Sequence, residues 1–452
     1  HLDLEGGNQM GLILATVVAG LIGYRLNVKW KDMLKGMSDA IGTAMPAIMI
    51  LLLIGALAGT WLISGIVPTL IYYGLKILNP TYFLFAACII SAIVSLATGS
   101  SWSTIATVGV AMFGIGSALG IPAGLSAGAI ISGAYFGDKM SPMSDTTNLA
   151  PAVAGTDLIT HIRYMLWTTV PSIIITLIIF LIIGFFFSSE ASTEDIDNIL
   201  NTIENRFNIT PLLFIVPAVV IFMIIKKIDA IPAILTGALL GGVFAVIFQP
   251  EIIQELGAND SLEETSFLES SYRAVVNALT IQTNVITDNE MVNELFSTKG
   301  MNGMLYTIWL IVCAMSFGGM MEKLGLLKVI TEAMISKNKT SKGSLILTTT
   351  ATCIGFNVTT SDQYLAIVVP GKMFAKAYKD RGLAPENLRR TLEDSGTVTS
   401  VLVPWNTCGM AQSSVLGIAT GEYFFYCFFN LISPIMTVTY GYLGIKIAKL
   451  KK

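Results

Sequence analysis

Four aspartates, Asp138, Asp145, Asp362 and Asp394, sit in or beside stretches otherwise apolar enough for a membrane. The first two belong to Gly137-Asp138-Lys139-Met140-Ser141-Pro142-Met143-Ser144-Asp145-Thr146-Thr147-Asn148, which interrupts the largely apolar runs 121–136 and 149–159. Asp362 closes Asn357-Val358-Thr359-Thr360-Ser361-Asp362-Gln363, and Asp394 opens Asp394-Ser395-Gly396-Thr397. The neutral oxygen-bearing side chains around them are Thr98, Ser100, Ser101, Ser144, Thr146, Asn148, Thr360, Ser361, Ser395 and Asn406. Hydrocarbon tolerates ionisable groups and broken backbone only where protein or a water cavity shields them. A carboxylate among hydroxyl and carbonyl oxygens is a hard-ligand set suited to a small cation such as Na+. Burial disfavours the charged carboxylate, so the same group takes a proton when the ion leaves. Each hydroxyl could equally cap a helix or bond back to its own backbone. Lys139 could equally neutralise one of the aspartates. Asp157 and Glu393 lie nearer helix ends and read as solvated or capping groups.

The elements that must position these residues are membrane helices. Of 452 residues, 53% are hydrophobic and only 13% charged, against roughly 25% charged in soluble domains. Runs such as Thr169 to Phe187 are long enough to cross a bilayer core of ~30 Å. The fold class is therefore an all-α polytopic membrane protein, with lipid as its solvent. Two histidines and five scattered cysteines give neither metal-ligand spacing nor a disulfide framework, and no cofactor motif is present. A net charge of -3 without a basic tract offers no footprint for nucleic acid.

Basic residues orient the spans. Arg25, Lys29, Lys31 and Lys35 place the loop after the first span in the cytoplasm. The second span, 44–63, returns outward. A hairpin over 82–119 has a hydroxyl-rich turn at 98–104 and limbs short of the ~20 residues of a full span, so it enters and leaves from outside. A helix over 121–158 enters from outside and is broken at the Asp138 motif, its second limb at about 149–158. A long span to residue 187 follows, then an external linker, 188–210. Spans begin near 211, 231 and 304, separated by an acidic external excursion over 249–300. An amphipathic stretch over 324–335 leads to a second hairpin, 344–378. That hairpin is flanked by Lys342, Lys376, Lys379 and Arg381, so its base lies inside. A second broken helix, 391–419, precedes a closing span that leaves the C-terminus in the cytoplasm.

The two halves, 1–187 and 211–452, thus repeat one order of elements in opposite orientation, each with a re-entrant hairpin and a broken helix. That is the inverted-topology repeat of secondary transporters, whose site lies at the midplane between repeats. The second half has three plain spans before its amphipathic link and the first half two. Symmetry therefore predicts one further N-terminal span upstream of this sequence.

Four motifs carry a resemblance: TGSSWSTIATVGVA (98–111), ISGAYFGDKMSPMSDTTNLAPAVAGTDL (131–158), TSDQYLAIVVPGKMF (360–374) and TLEDSGTVTSVLVPWNTCG (391–409). Together they resemble the NhaC family of Na+/H+ antiporters across essentially the whole chain. The resemblance implies transported Na+ and H+, an elevator-like alternating-access mechanism, a homodimer, and a bacterial cell membrane. It places the ion path at the Asp138, Asp145, Asp362 and Asp394 regions. The same family includes exchangers of malate and protons for sodium and lactate, and members linked to amino acids, so an organic anion or amino acid is the alternative cargo. No arginine stands out at the site to clamp a carboxylate, which favours plain cation exchange. A channel would also use broken helices, but opposed acidic hairpins favour alternating access. Phe136-Gly137-Asp138 lacks the facing aspartate that a membrane aspartyl protease needs.

Overall fold

The computed structural model describes residues 6–148, 158–186, 193–258, 266–327, 329 and 341–450. The expected second limb at 149–157, with Asp157, lies outside the described residues, as does most of the 324–335 stretch. Seven helices among the described residues are long and apolar enough to cross a membrane, or nine if each of two bent pairs is one span.

Up to residue 186 the described elements are α1 (Gly7–Arg25), α2 (Trp30–Ile63), α3 (Ile66–Ile77), α4 (Pro80–Thr98), α5 (Ser101–Ala118), α6 (Ala123–Met140) and α7 (Leu158–Phe186). α2 has 34 residues and is ~51 Å long at 1.5 Å per residue. The basic stretch after Lys29, expected as loop, is its first turns projecting beyond the apolar core. In the 188–210 linker, α8 (Thr193–Arg206) turns 89° into α9 (Pro211–Ile225). Then come α10 (Ala230–Phe248), the excursion helices α11 (Pro250–Gly257), α12 (Phe267–Thr280) and α13 (Glu290–Leu295), and α14 (Leu305–Lys323). The excursion is not loose: Ala274 and Ala278 of α12 pack with Ile63, Ala245 and Ile253 in one buried cluster. The second hairpin is α15 (Lys342–Thr359) and α16 (Gln363–Asp380), followed by α17 (Pro385–Leu392), α18 (Thr407–Leu416) and α19 (Phe428–Leu443).

Both hairpin turns are tighter than the polar stretches suggest. In the first, only Gly99 and Ser100 leave the helix. Gly99 takes φ 72° and Ser100 caps α5 by accepting from Ser103 N. In the second, the helix runs through Thr359 and the turn is Thr360–Asp362, with Ser361 at φ 59°. Local capping lets helix continue through residues whose polarity alone reads as loop.

The limbs are also longer than expected. α4 has 19 residues and α5 has 18, or ~28 and ~27 Å. Length therefore does not make the first hairpin re-entrant. Tyr82, at the foot of α4, stacks on Phe185, near one end of the 29-residue α7, with ring centroids 5.7 Å apart. α7 is ~43 Å long, against ~28 Å for α4. At the other end of α7, Tyr164 donates to Asn387 Oδ1 at 2.7 Å and accepts from Ala448 N at 3.1 Å. Leu383 bridges Lys449 in the same place, beside the base of the second hairpin. Opposite ends of α7 thus adjoin the foot of the first hairpin and the Leu383–Lys449 bridge that follows the second.

α4 and α6 approach at the backbone. A Cβ on Gly133 would lie 2.0 Å from the Cys88 carbonyl oxygen. Gly133→Ala is expected to force the pair apart and destabilise by about 1–3 kcal/mol, read as a lower melting temperature in detergent.

Candidate cation site

α6 ends at Met140 because Pro142 cannot continue it. Asp138 sits in its last turn, 7% exposed. Its Oδ2 accepts from Ser101 N at 3.1 Å and Ser101 Oγ at 2.7 Å, in the first turn of α5. Its Oδ1 accepts from Ser144 Oγ at 2.5 Å, and Ser144 Oγ lies 3.0 Å from Thr146 Oγ1. The tip of the first hairpin presses on this break: a Cβ on Gly99 would lie 2.7 Å from the Met143 carbonyl carbon. Asp138 is therefore held by hydroxyls from two elements and by a helix N-terminus, which favours negative charge.

The other expected ligands divide by geometry. Ser101, Ser144 and Thr146 gather on Asp138. Ser100 and Asn406 cap helices, and Asp362 caps α16 through Oδ1 on Leu365 N at 2.8 Å. Thr360, Ser395 and Asn148 bond back to carbonyls of their own segments, while Thr98 faces Thr104 inside the first tip at 3.2 Å. The Ser361 hydroxyl is buried without a partner. Asp145 is exposed and has no hydrogen bond or ion pair among the described residues. Tyr364, in the second hairpin, is near enough to Asp145, Asp138 and Asp362 to interact with all three.

The second broken helix does not break at Asp394. Residues Glu393–Thr397 form a π-helical turn, and the chain leaves helix only at Val403–Asn406. A π turn also follows the first tip, at Ile105–Gly109. Such turns loosen the carbonyl ladder and recur at functional sites. Amide side chains take up the freed carbonyls: Asn357 Nδ2 donates to Gly396 O (2.8 Å), Gln363 Nε2 to Thr397 O (2.9 Å) and Asn430 Nδ2 to Val398 O (2.8 Å). The Ser361 carbonyl accepts from Thr407 N at 2.9 Å. Asn357 and Gln363 were legible only as members of a polar tip; Asn430 gave no sequence signal.

Lys139 is fully buried and pairs with Asp394 Oδ1, and also donates to Ser433 Oγ at 3.1 Å. The pair joins the repeats next to Asp138. Glu393, expected to be solvated or capping, is fully buried; only its Oε2 is engaged, by Thr397 Oγ1 at 2.7 Å. Arg389 and Arg390 are also fully buried. α17, which carries them, packs against α7 and both limbs of the second hairpin, which flanking sequence does not reveal. A cavity of about 770 Å3 runs from Ser297–Gly300 of the excursion to Pro404 at the second break, past Tyr306 and Met410.

Residues 133–445 match the profile of the Na+/H+ antiporter family. The chain belongs to the Na+/H+ antiporter family. It is 38% identical over 438 residues, 97% of this chain and 90% of the relative, to the Na(+)/H(+) antiporter NhaC of Alkalihalophilus pseudofirmus. It is 36% identical over 432 residues, 95% of this chain and 91% of the relative, to the NhaC of Bacillus subtilis. The Malate-2H(+)/Na(+)-lactate antiporter of Bacillus subtilis is equally similar, at 36% over 437 residues, 96% of this chain and 89% of that one.

Proposed function

We propose that the chain exchanges Na+ for H+ across the membrane by alternating access, and that Asp138 is the carboxylate both cations share. The observation that carries this reading is the oxygen-only cluster of Asp138, Ser101, Ser144 and Thr146. Hydroxyls that now donate to the carboxylate rotate to offer lone pairs when Na+ arrives. When Na+ leaves, a proton neutralises the buried carboxylate. One group cannot hold both cations, so inward and outward trips carry different ones.

In this reading Asp145 stands at the mouth of the site, and Asp362 holds the second tip in shape. The Lys139–Asp394 pair ties the halves, 1–187 and 211–452. The hairpins and broken helices move as one elevator body against a scaffold around α2, on which the excursion docks. The C-terminus, beside the basic base of the second hairpin, lies in the cytoplasm. The working unit is a homodimer.

In proteoliposomes an imposed Na+ gradient is expected to drive H+ with a fixed ratio; flux of either ion without the other would defeat the reading and point to a channel. Competition sets the sign of the pH dependence. Raising pH removes the competing proton, so the apparent KM for Na+ falls, by up to about tenfold per pH unit while the carboxyl remains mostly protonated. Initial rates at several pH values check this.

A second reading, exchange that also carries an organic anion, is supported by the similarity to the malate–lactate antiporter. Lithium, malate and lactate arms in the same vesicles separate the two.

A further inference from the structure

We infer that Arg389, with Arg390 and His161 beside it, holds a small carboxylate anion at a site separate from the cation site. Arg389 is fully enclosed, and its Nε, Nη1 and Nη2 have no hydrogen-bond partner among the described residues. Arg390 is equally enclosed; Nη1 donates to Lys446 O at 3.1 Å and its guanidinium lies 4.8 Å from the Tyr164 ring centroid, while Nε and Nη2 have no partner. His161, in the first turn of α7, is fully enclosed with both ring nitrogens unpartnered, and lies near enough to Arg389 and Lys139 to interact with each. The charge of Lys139 is already met by Asp394.

No hydrogen bond or ion pair among the described residues engages the Arg389 guanidinium. The one carboxylate that interacts with it is Glu386, one turn earlier on α17, at a distance and without a hydrogen bond. None of the three ion pairs among the described residues includes either arginine. A guanidinium cannot shed its proton to relieve burial, and an enclosed unpaired charge is strongly unfavourable. The missing member of the cluster is therefore an anion. Its shape follows from the donors: the planar fork of Arg389 matches the two oxygens of a carboxylate, which a spherical halide does not. The free nitrogens of Arg390 and His161 suit a second carboxyl or a hydroxyl on the same molecule. The inference goes beyond cation exchange and does not rest on Asp138.

The test is thermal unfolding of the purified full-length protein at constant ionic strength and constant Na+, titrated with malate, acetate, phosphate or chloride. Malate and acetate are expected to raise the melting temperature saturably in the wild type. Arg389→Gln should weaken that response by about 10–100-fold in half-saturating concentration, the loss of a charged hydrogen-bonded contact. His161→Phe should weaken it less. A wild type indifferent to carboxylates, a response equal for chloride, or one unchanged in Arg389→Gln would each overturn the inference. Arg389→Met supplies an independent reading. If the guanidinium has no protein partner, this variant melts no lower than wild type in carboxylate-free buffer. A large drop there would show that the arginine is satisfied within the fold and would also overturn it.

Discussion

Asp138→Asn is expected to reduce Na+-driven H+ exchange by at least ~100-fold while leaving the protein folded. A unit charge 4 Å from a cation is worth ~4 kcal/mol at an effective dielectric of 20, which is about a thousandfold in binding. The amide removes that charge and the proton site together. The fold tolerates it because an amide oxygen can still accept from Ser101, the neighbour on Oδ2. The amide gives up only the hydrogen bond from Ser144 to Oδ1, worth about 1 kcal/mol. The contrast is Asp145→Asn. Asp145 is exposed and unpartnered among the described residues, so its loss should raise the KM for Na+ a few-fold and leave the maximal rate close to wild type. Dye-reported H+ flux in proteoliposomes, with melting temperature as the folding control, measures both. Equal loss in the two variants would move the centre of the site away from Asp138.

Lys139→Met should be the most destabilising single change at the site. Lys139 is fully buried and its partner Asp394 is too. Asp394 Oδ2 already lacks a partner, so removing the ammonium leaves a buried carboxylate with Ser433 as its sole hydrogen-bond donor. Breaking one side of such a pair costs about 3–5 kcal/mol, whereas replacing both members by apolar residues is often neutral. Lys139→Met with Asp394→Leu is therefore expected to recover most of the loss. The two single variants and the double variant form a cycle whose coupling term should be at least about 3 kcal/mol, read from melting in detergent. A double variant no better than Lys139→Met alone would show that the pair is not what Lys139 serves. Transport by the double variant then separates stability from coupling: if it folds but exchanges slowly, the pair also acts in the cycle.

Much of the architecture was legible in the chain itself. Hydropathy and low charge place it in a membrane, and basic residues at Lys342, Lys376, Lys379 and Arg381 set the second hairpin against the first. In the structure, opposite ends of α7 adjoin Tyr82 at the foot of the first hairpin and Ala448 near the base of the second. The gathering of Ser101 and Ser144 on Asp138 was likewise within reach, because an ionisable group in an apolar run needs nearby oxygen partners. Element boundaries were less secure. Both tips proved to be turns of two or three residues, since caps let helix run through hydroxyl-rich sequence. Asp394 proved to lie in a π turn rather than at a break.

Sequence by itself determined the class, the order of elements and the polar interruptions, because these follow from local composition and charge. Tertiary structure alone decided the partners. Asp138 and Lys139 are neighbours, yet consecutive helical side chains point ~100° apart. One therefore meets the first hairpin and the other meets Asp394, 255 residues away. The same holds for Glu393, Arg389, Arg390 and His161, enclosed where the second hairpin, α7, α17 and α19 pack together. Burial near a helix end is set by what packs over it, and that neighbour lies far off in the chain.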